Sequence, residues 1–169
     1  MSIEQQAKAI LEHFPQFKEQ PASVSGKYHF GETLGEHTDR CVSVMNHMCD
    51  SLNIAGSDRE MLVAAAYLHD LGKVLITTKG KVILEHWTYF EKTGYSRIDI
   101  LMHLHPLMSA RILDKFDIDR KDEIKKLVSV HMSHWYKDSC PQAETLYERL
   151  IILADYLAYQ KNLYNYIDR

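Results

Sequence analysis

The sequence predicts an all-α fold, a single mostly helical bundle, on three observations. Apolar residues recur at helical spacing along most of the 169-residue chain. Helix breakers are scarce, with seven glycines and four prolines. Hydrophobic residues make up 46% and charged residues 25%, the balance of one globular domain with a core. Residues 1–169 therefore read as one domain, with no repeat, low-complexity tract or linker.

Each element has its own warrant. Residues 3–14 form an amphipathic helix closed off before Pro15. Residues 20–35 hold Pro21, Gly26, Gly31 and Gly35 and read as a loop. From Glu36 to Leu52 the spacing of Cys41, Val44, Met48 and Leu52 is helical. Gly56 ends that segment, and Ser57 with Glu60 has the pattern of a capping box for the next helix. That helix carries the apolar run Met61–Leu68 and stops at Gly72. Over 74–84, β-branched runs flank Lys79-Gly80, the pattern of a short β-hairpin. Pro106 suits the first position of a helix to about Lys115. Asp119 caps a helix over 120–133, and Pro141 precedes a long one from about Ala143 to Leu163.

Several function classes fall away. Twenty Lys and Arg against 23 Asp and Glu leave a net charge of −3 and a pI near 6.3, which argues against a broad nucleic-acid surface. The longest apolar run is eight residues, against the ~20 that span a bilayer, so no membrane segment is expected. Glu4, Lys8 and Glu12 interrupt any signal-peptide core. Cys41, Cys49 and Cys140 are odd in number and contain no CxxC pair, which suits neither a disulfide framework nor a zinc finger. A reducing cytoplasm is the expected location.

The unusual item is histidine, of which there are ten. His69 lies seven residues after Leu62 and so continues a buried stripe, with Asp70 beside it near the helix end. His131 stands in the same relation to Ile124, Leu127 and Val128, and His37 opens the stripe of Cys41, Val44 and Met48. Asp155 sits on the apolar side among Ile151, Ile152, Ala158 and Tyr159. Any one of these groups is most simply a satisfied core residue. Four of them, from separate helices, fit better with a metal site, because a buried carboxylate needs a partner or a cation and bundles build such sites from facing side chains. Histidine and aspartate without cysteine suit a divalent transition metal: Mn, Fe, Co, Ni or Zn. No HExxH, Walker A, GxSxG or GxGxxG motif offers competing chemistry.

These residues resemble the HD-domain metal-dependent phosphohydrolase superfamily over roughly residues 34–160, with the helix 3–14 outside that core. Leu34-Gly-Glu-His37-Thr resembles the first histidine segment, Leu68-His69-Asp70-Leu71-Gly72-Lys73 is similar to the HD signature, and Ile151-Ile-Leu-Ala-Asp155 resembles the closing aspartate segment. The resemblance implies one metal on His37, His69, Asp70 and Asp155. His105-Pro106 with Ser109-Ala110 and Ile112-Leu113 is similar to a segment of dinuclear members, and His131-Met-Ser-His134-Trp135 through Pro141 resembles the HHExxW…P stretch of HD-GYP phosphodiesterases. It implies a second metal on Asp70, His105 and His131. The pattern departs at Met132, Ser133 and Ser139-Cys140-Pro141, so it does not carry cyclic-di-GMP specificity. His103 competes with His105 for the ligand position, and His134 is either a replacement ligand or, more simply, a surface residue. His13, His29, His47 and His86 match no motif, and the tyrosines Tyr147, Tyr156, Tyr159, Tyr164 and Tyr166 read as packing.

The implied reaction is hydrolysis of a phosphate ester or anhydride of a small phosphorylated molecule, such as a nucleotide, by metal-activated water. Asp70 is then a base or a bridging ligand. Lys73, and Arg40 one turn after His37, are candidates to neutralise phosphate oxygens, with Arg111 a weaker one. One divalent ion with Asp70 and Asp155 is neutral, and two leave the centre at about +2, so an acidic protein can hold an anion there. The same ligand order also fits an HD-fold di-iron oxygenase. A non-catalytic HD sensor or interaction module is the third reading, against which the full first-site ligand set argues.

Overall fold

The computed structural model describes residues 1–22, 31–77, 97–135, 137 and 140–160. In it the helices run in the order α1 (Ile3–Glu12), a 3-10 turn (Pro15–Glu19), α2 (Leu34–Ser51), α3 (Gly56–Leu68) and α4 (Lys73–Thr77). They continue with α5 (Arg97–Ile112), a second 3-10 turn (Leu113–Lys115), α6 (Lys121–Val130) and α7 (Leu146–Tyr159). No strand occurs among the described residues beyond a single bridge between Pro21 and Thr33.

The apolar run of α3 explains the architecture. Met61 to Ala66 and Leu68 are all buried, so the helix is covered on every side rather than along one stripe. Its neighbours supply the cover, since α1, α2, α6 and α7 all lie against it. Each fully buried Leu or Met there adds roughly 1.5–3 kcal/mol of hydrophobic stabilisation. The other helices are amphipathic: α2 turns Leu34, His37, Cys41, Val44, Met45 and Cys49 inward, and α6 turns Ile124, Leu127, Val128 and Val130 inward. The charged faces meet at the rim. The Arg120 guanidinium bridges Asp58 of α3 (2.5 Å) and Glu123 of α6 (2.6 Å), and Lys126 of α6 reaches Glu148 of α7 (2.7 Å).

Caps account for where α1, α2 and α7 begin. Ser2 with Gln5, Thr33 with Glu36 and Thr145 with Glu148 form reciprocal capping boxes. The expected box of Ser57 and Glu60 does not form. α3 starts one residue before Ser57, and the Glu60 carboxylate accepts the backbone N–H of Ile3 instead (2.8 Å). Asp119 likewise does not cap α6. It pairs with the Gln6 side chain of α1, and left-handed Arg120 takes the cap position.

Five further expectations are corrected. The helix before Gly72 ends at Leu68, and after a turn the chain resumes helix at Lys73. Residues 74–77 are therefore helical and are not the first arm of a β-hairpin, because local β propensity yields to packing of α4 on α5. The rest of that expected hairpin, 78–84, lies outside the described residues. Pro106 sits inside α5 rather than at its start. The helix over 120–133 ends at Val130, and the long C-terminal helix runs from Leu146 to Tyr159, with residues beyond 160 outside the description.

Candidate metal centre

The end of the central helix sets the site. His69 is the C-cap of α3 and His131 is the C-cap of α6. Each donates its Nδ1–H to the carbonyl three residues back, Ala66 at 2.8 Å and Val128 at 2.7 Å. A carbonyl can only accept, so both rings carry the proton on Nδ1 and turn an Nε2 lone pair into the bundle. One device thus satisfies a helix-end carbonyl and orients a ligand.

The remaining donors arrive from α2, α5 and α7. His37 Nε2 lies 2.9 Å from Asp155 Oδ1 and 3.3 Å from His69 Nε2. His105 Nε2 lies 3.0 Å from His131 Nε2 and 3.2 Å from Asp70 Oδ1. Asp70, in the turn after α3, divides its carboxylate between the two pairs. Its Oδ2 lies 3.5 Å from His69 and 3.9 Å from His37, and its Oδ1 lies 3.2 Å from His105 and 3.6 Å from His131. His37, His69, Asp70, His105 and His131 are buried, and Asp155 retains 13% side-chain exposure.

Lys73 is the cation of the cluster. Its Nζ donates to Asp70 Oδ2 at 2.6 Å and to the Ala22 carbonyl at 3.1 Å. Burial alone would raise the Asp70 carboxyl. The Lys73 ammonium and the surrounding imidazoles overcome that and hold it well below the usual carboxylate range. Asp155 is held down against its burial in the same way, chiefly by His37.

Burial pushes the His69 and His105 imidazoles down to about 4. In the unfolded chain a histidine titrates near ~6.5. As pH falls below that value the unfolded state binds protons that the folded, metal-free protein refuses, so stability declines until about pH 4. Asp70 and Asp155 extend the loss from ~3.9, where unfolded carboxyls take up protons, to lower pH. Urea unfolding of chelator-treated protein should therefore lose a few kcal/mol between pH 7 and 4.5. A midpoint unchanged over that interval would contradict buried neutral histidines.

The donor set fits a divalent cation. Three overlapping groups (His37, His69 and Asp70; Asp70, His105 and His131; His69, His131 and Asp155) each bring their ligand atoms within 4.8 Å of one another. Ligands ~2.0–2.1 Å from a tetrahedral ion stand about 3.3 Å apart, close to the Nε2–Nε2 separations of 3.0 and 3.3 Å here. Nitrogen and carboxylate donors in this mixture suit Mn, Fe, Co, Ni or Zn.

Two supporting residues carry no legible signal of that role in the sequence. Ser109 of α5 accepts the Gly72 N–H (2.7 Å), and its hydroxyl lies 2.7 Å from the His69 carbonyl and 2.9 Å from that of His105. It ties the α3 end to α5 and so sets the two histidines in register. Ser109→Ala strands a buried Gly72 N–H, a loss of about 1–3 kcal/mol, and should weaken metal binding about 10–100-fold. Calorimetric titration of the variant with zinc measures this, and wild-type affinity would refute the tie. Gly72 itself is a point of close approach: a Cβ there would lie 2.2 Å from the His105 carbonyl oxygen and 2.7 Å from Ser109 N.

The other candidates separate. Among the described residues His103 and His134 join none of the ligand groups. His134 is exposed and stands edge-on to Trp135. His13 packs on Phe116 and His47 is exposed, whereas His29 and His86 lie outside the described residues. Arg40 is engaged between two elements. Its guanidinium engages Glu32 and the Ala158 carbonyl, joining α2 to the end of α7. Arg111 is exposed on α5.

Fold and site together define a class: an all-α bundle whose helices and helix ends bring together histidines and aspartates that could hold a divalent metal. A protein-family model described as HD domain matches residues 34–160, three quarters of the chain. The chain belongs to that family, within the HD-domain metal-dependent phosphohydrolase superfamily. No curated protein and no solved structure matched it. Among the described residues no helix is long and apolar enough to cross a membrane.

Proposed function

We propose that the protein is a phosphohydrolase that cleaves a phosphate ester or anhydride of a small molecule, a nucleotide or similar compound, at a centre of one or two divalent metals. The observation that carries this reading is Asp70, whose two oxygens face separate histidine pairs while Lys73 stands against one of them. His37, His69, Asp70 and Asp155 would hold one ion, and Asp70, His105 and His131 a second. When bound, the metal supplies Lewis-acid stabilisation and water acidified from ~15.7 toward ~7.

The chain's own residues do the rest. His69 and His131 arrive with Nε2 free of its proton, because Nδ1–H is committed to backbone. Asp70 is the hydrogen-bond acceptor positioned to hold a water for in-line attack on phosphorus. Lys73, whose ammonium stands against Asp70 and the Ala22 carbonyl, supplies positive charge to a phosphoryl oxygen as charge develops. The acidic net charge sets only the general surface.

Release of inorganic phosphate from p-nitrophenyl phosphate, nucleoside monophosphates and nucleoside triphosphates, with added Mn, Co or Ni, tests the reading. Phosphate release that depends on the metal supports it. No release with any metal, together with oxygen consumption by an iron-loaded protein, would replace it with oxygenase chemistry.

A further inference from the structure

Beyond the buried centre, a second concave site opens between the turn after α6 and the outer face of α7. It encloses about 480 Å³, within the ~300–1,000 Å³ of small-molecule pockets. Its floor is aromatic. Trp135 and Tyr156 stack with ring centroids 6.0 Å apart and planes 29° from parallel, yet each is 42% exposed. Its rim is cationic, with Lys137 on the turn side and Arg149 on α7. Ile152 and Leu153 complete an apolar wall beside the rings.

This combination is unusual for a surface that faces only water. Arg149, Ile152, Leu153 and Tyr156 recur at helical spacing on the side of α7 turned away from Ile151 and Ala154, which are buried in the core. Core packing therefore does not explain the aromatic and aliphatic residues here. Large exposed rings next to cations, in a protein of net charge −3, present the two contacts that a planar anion needs: a π face to stack on and a positive charge beside it. Arginine suits the anionic end in particular, because its planar fork pairs with phosphate oxygens through two hydrogen bonds.

We propose that this groove is a nucleotide-binding site separate from the metal cluster, with the base on Trp135 and Tyr156 and the phosphate at Arg149 and Lys137. None of these four residues belongs to the ligand groups of the centre. Occupancy of the groove needs no turnover, so the inference stands or falls independently of the hydrolase reading.

Isothermal titration calorimetry on the full chain, with AMP, adenosine and inorganic phosphate as separate probes, tests it. AMP should bind more tightly than either fragment, and its affinity should persist when EDTA is added. Trp135→Ala and Arg149→Gln should each weaken AMP at least about tenfold, the scale of losing a stacking platform or a charged hydrogen bond. Arg149→Gln should leave adenosine nearly unaffected, which a general disturbance of the fold would not do. Two results would overturn the proposal. One is AMP binding that vanishes with EDTA and ignores both substitutions, which assigns the nucleotide to the metal centre. The other is a fall in molar mass by light scattering in Trp135→Ala without any change in AMP affinity, which makes this face a contact between copies of the chain.

Discussion

Asp70→Asn is expected to lower the turnover of the proposed phosphohydrolase by about 10³-fold or more, the scale of removing a group on which the whole site depends. The side chain is nearly isosteric, so the loss comes from chemistry rather than volume. The carboxylate faces both histidine pairs and Lys73, and the amide removes its charge from all of them. Lys73 then keeps a buried ammonium beside a neutral amide, with the Ala22 carbonyl still accepting from it. Removing one partner of a buried ion pair costs about 3–5 kcal/mol, so the variant should also unfold earlier. The double change Asp70→Asn, Lys73→Met separates the two effects. It should recover much of the stability and none of the turnover or metal binding. Turnover that survives in Asp70→Asn would remove Asp70 from the reaction.

Gly72→Ala is expected to produce the largest loss of stability for a single added methyl group, about 4 kcal/mol or more. The added Cβ meets backbone on two sides, at 2.2 Å from the His105 carbonyl oxygen and 2.7 Å from Ser109 N, and backbone cannot rotate away as a side-chain end can. Relief requires α5 to move off the end of α3. That shift carries His105 away from Asp70 and breaks the hydrogen bond from Gly72 N–H to Ser109. The variant should therefore lose metal at the Asp70, His105 and His131 group even where it remains folded. Urea unfolding and metal content by elemental analysis read the two consequences separately. Wild-type values in both would show that the bundle accommodates the methyl group and that Gly72 serves only as a turn residue.

Periodicity was enough to find four of the six clustered residues. His37 and Asp155 lie on α2 and α7, and His69 and His131 cap α3 and α6 in line with their apolar faces, so the 3.6-residue rule points all four inward without reference to a family. Asp70 followed as the neighbour of His69. His105 needed the resemblance, because Pro106 read locally as a helix start and hid the continuous α5 on which His105 sits. The family match over 34–160 agrees with the extent of the resemblance read from the motifs.

What local patterns missed were interactions between distant segments. The pattern Ser or Thr followed three residues later by Glu or Gln makes a capping box at Ser2, Thr33 and Thr145 but not at Ser57. The difference lies in Glu60, whose carboxylate is drawn to the first helical N–H of α1, 57 residues away. Asp119 leaves its expected cap for Gln6 on the same helix. Arg40 has the spacing of a phosphate ligand and the contacts of a clasp between α2 and α7. The tyrosines read as packing divide: Tyr147 donates its hydroxyl to Asp58 and joins the rim network, whereas Tyr156 lies open on Trp135. A single sequence contains no signal for such pairings, since they depend on which helices meet.

His37, His69, Asp70, His105, His131 and Asp155 together are proposed to form a divalent-metal centre. Anomalous diffraction at the zinc edge, from crystals grown with zinc, tests it most directly. A peak is expected ~2.0–2.2 Å from ligand atoms of His37, His69, Asp70 and Asp155, with a second beside Asp70, His105 and His131 where two ions bind. A folded protein with no anomalous peak at the cluster, or with zinc held only by surface residues, would contradict it.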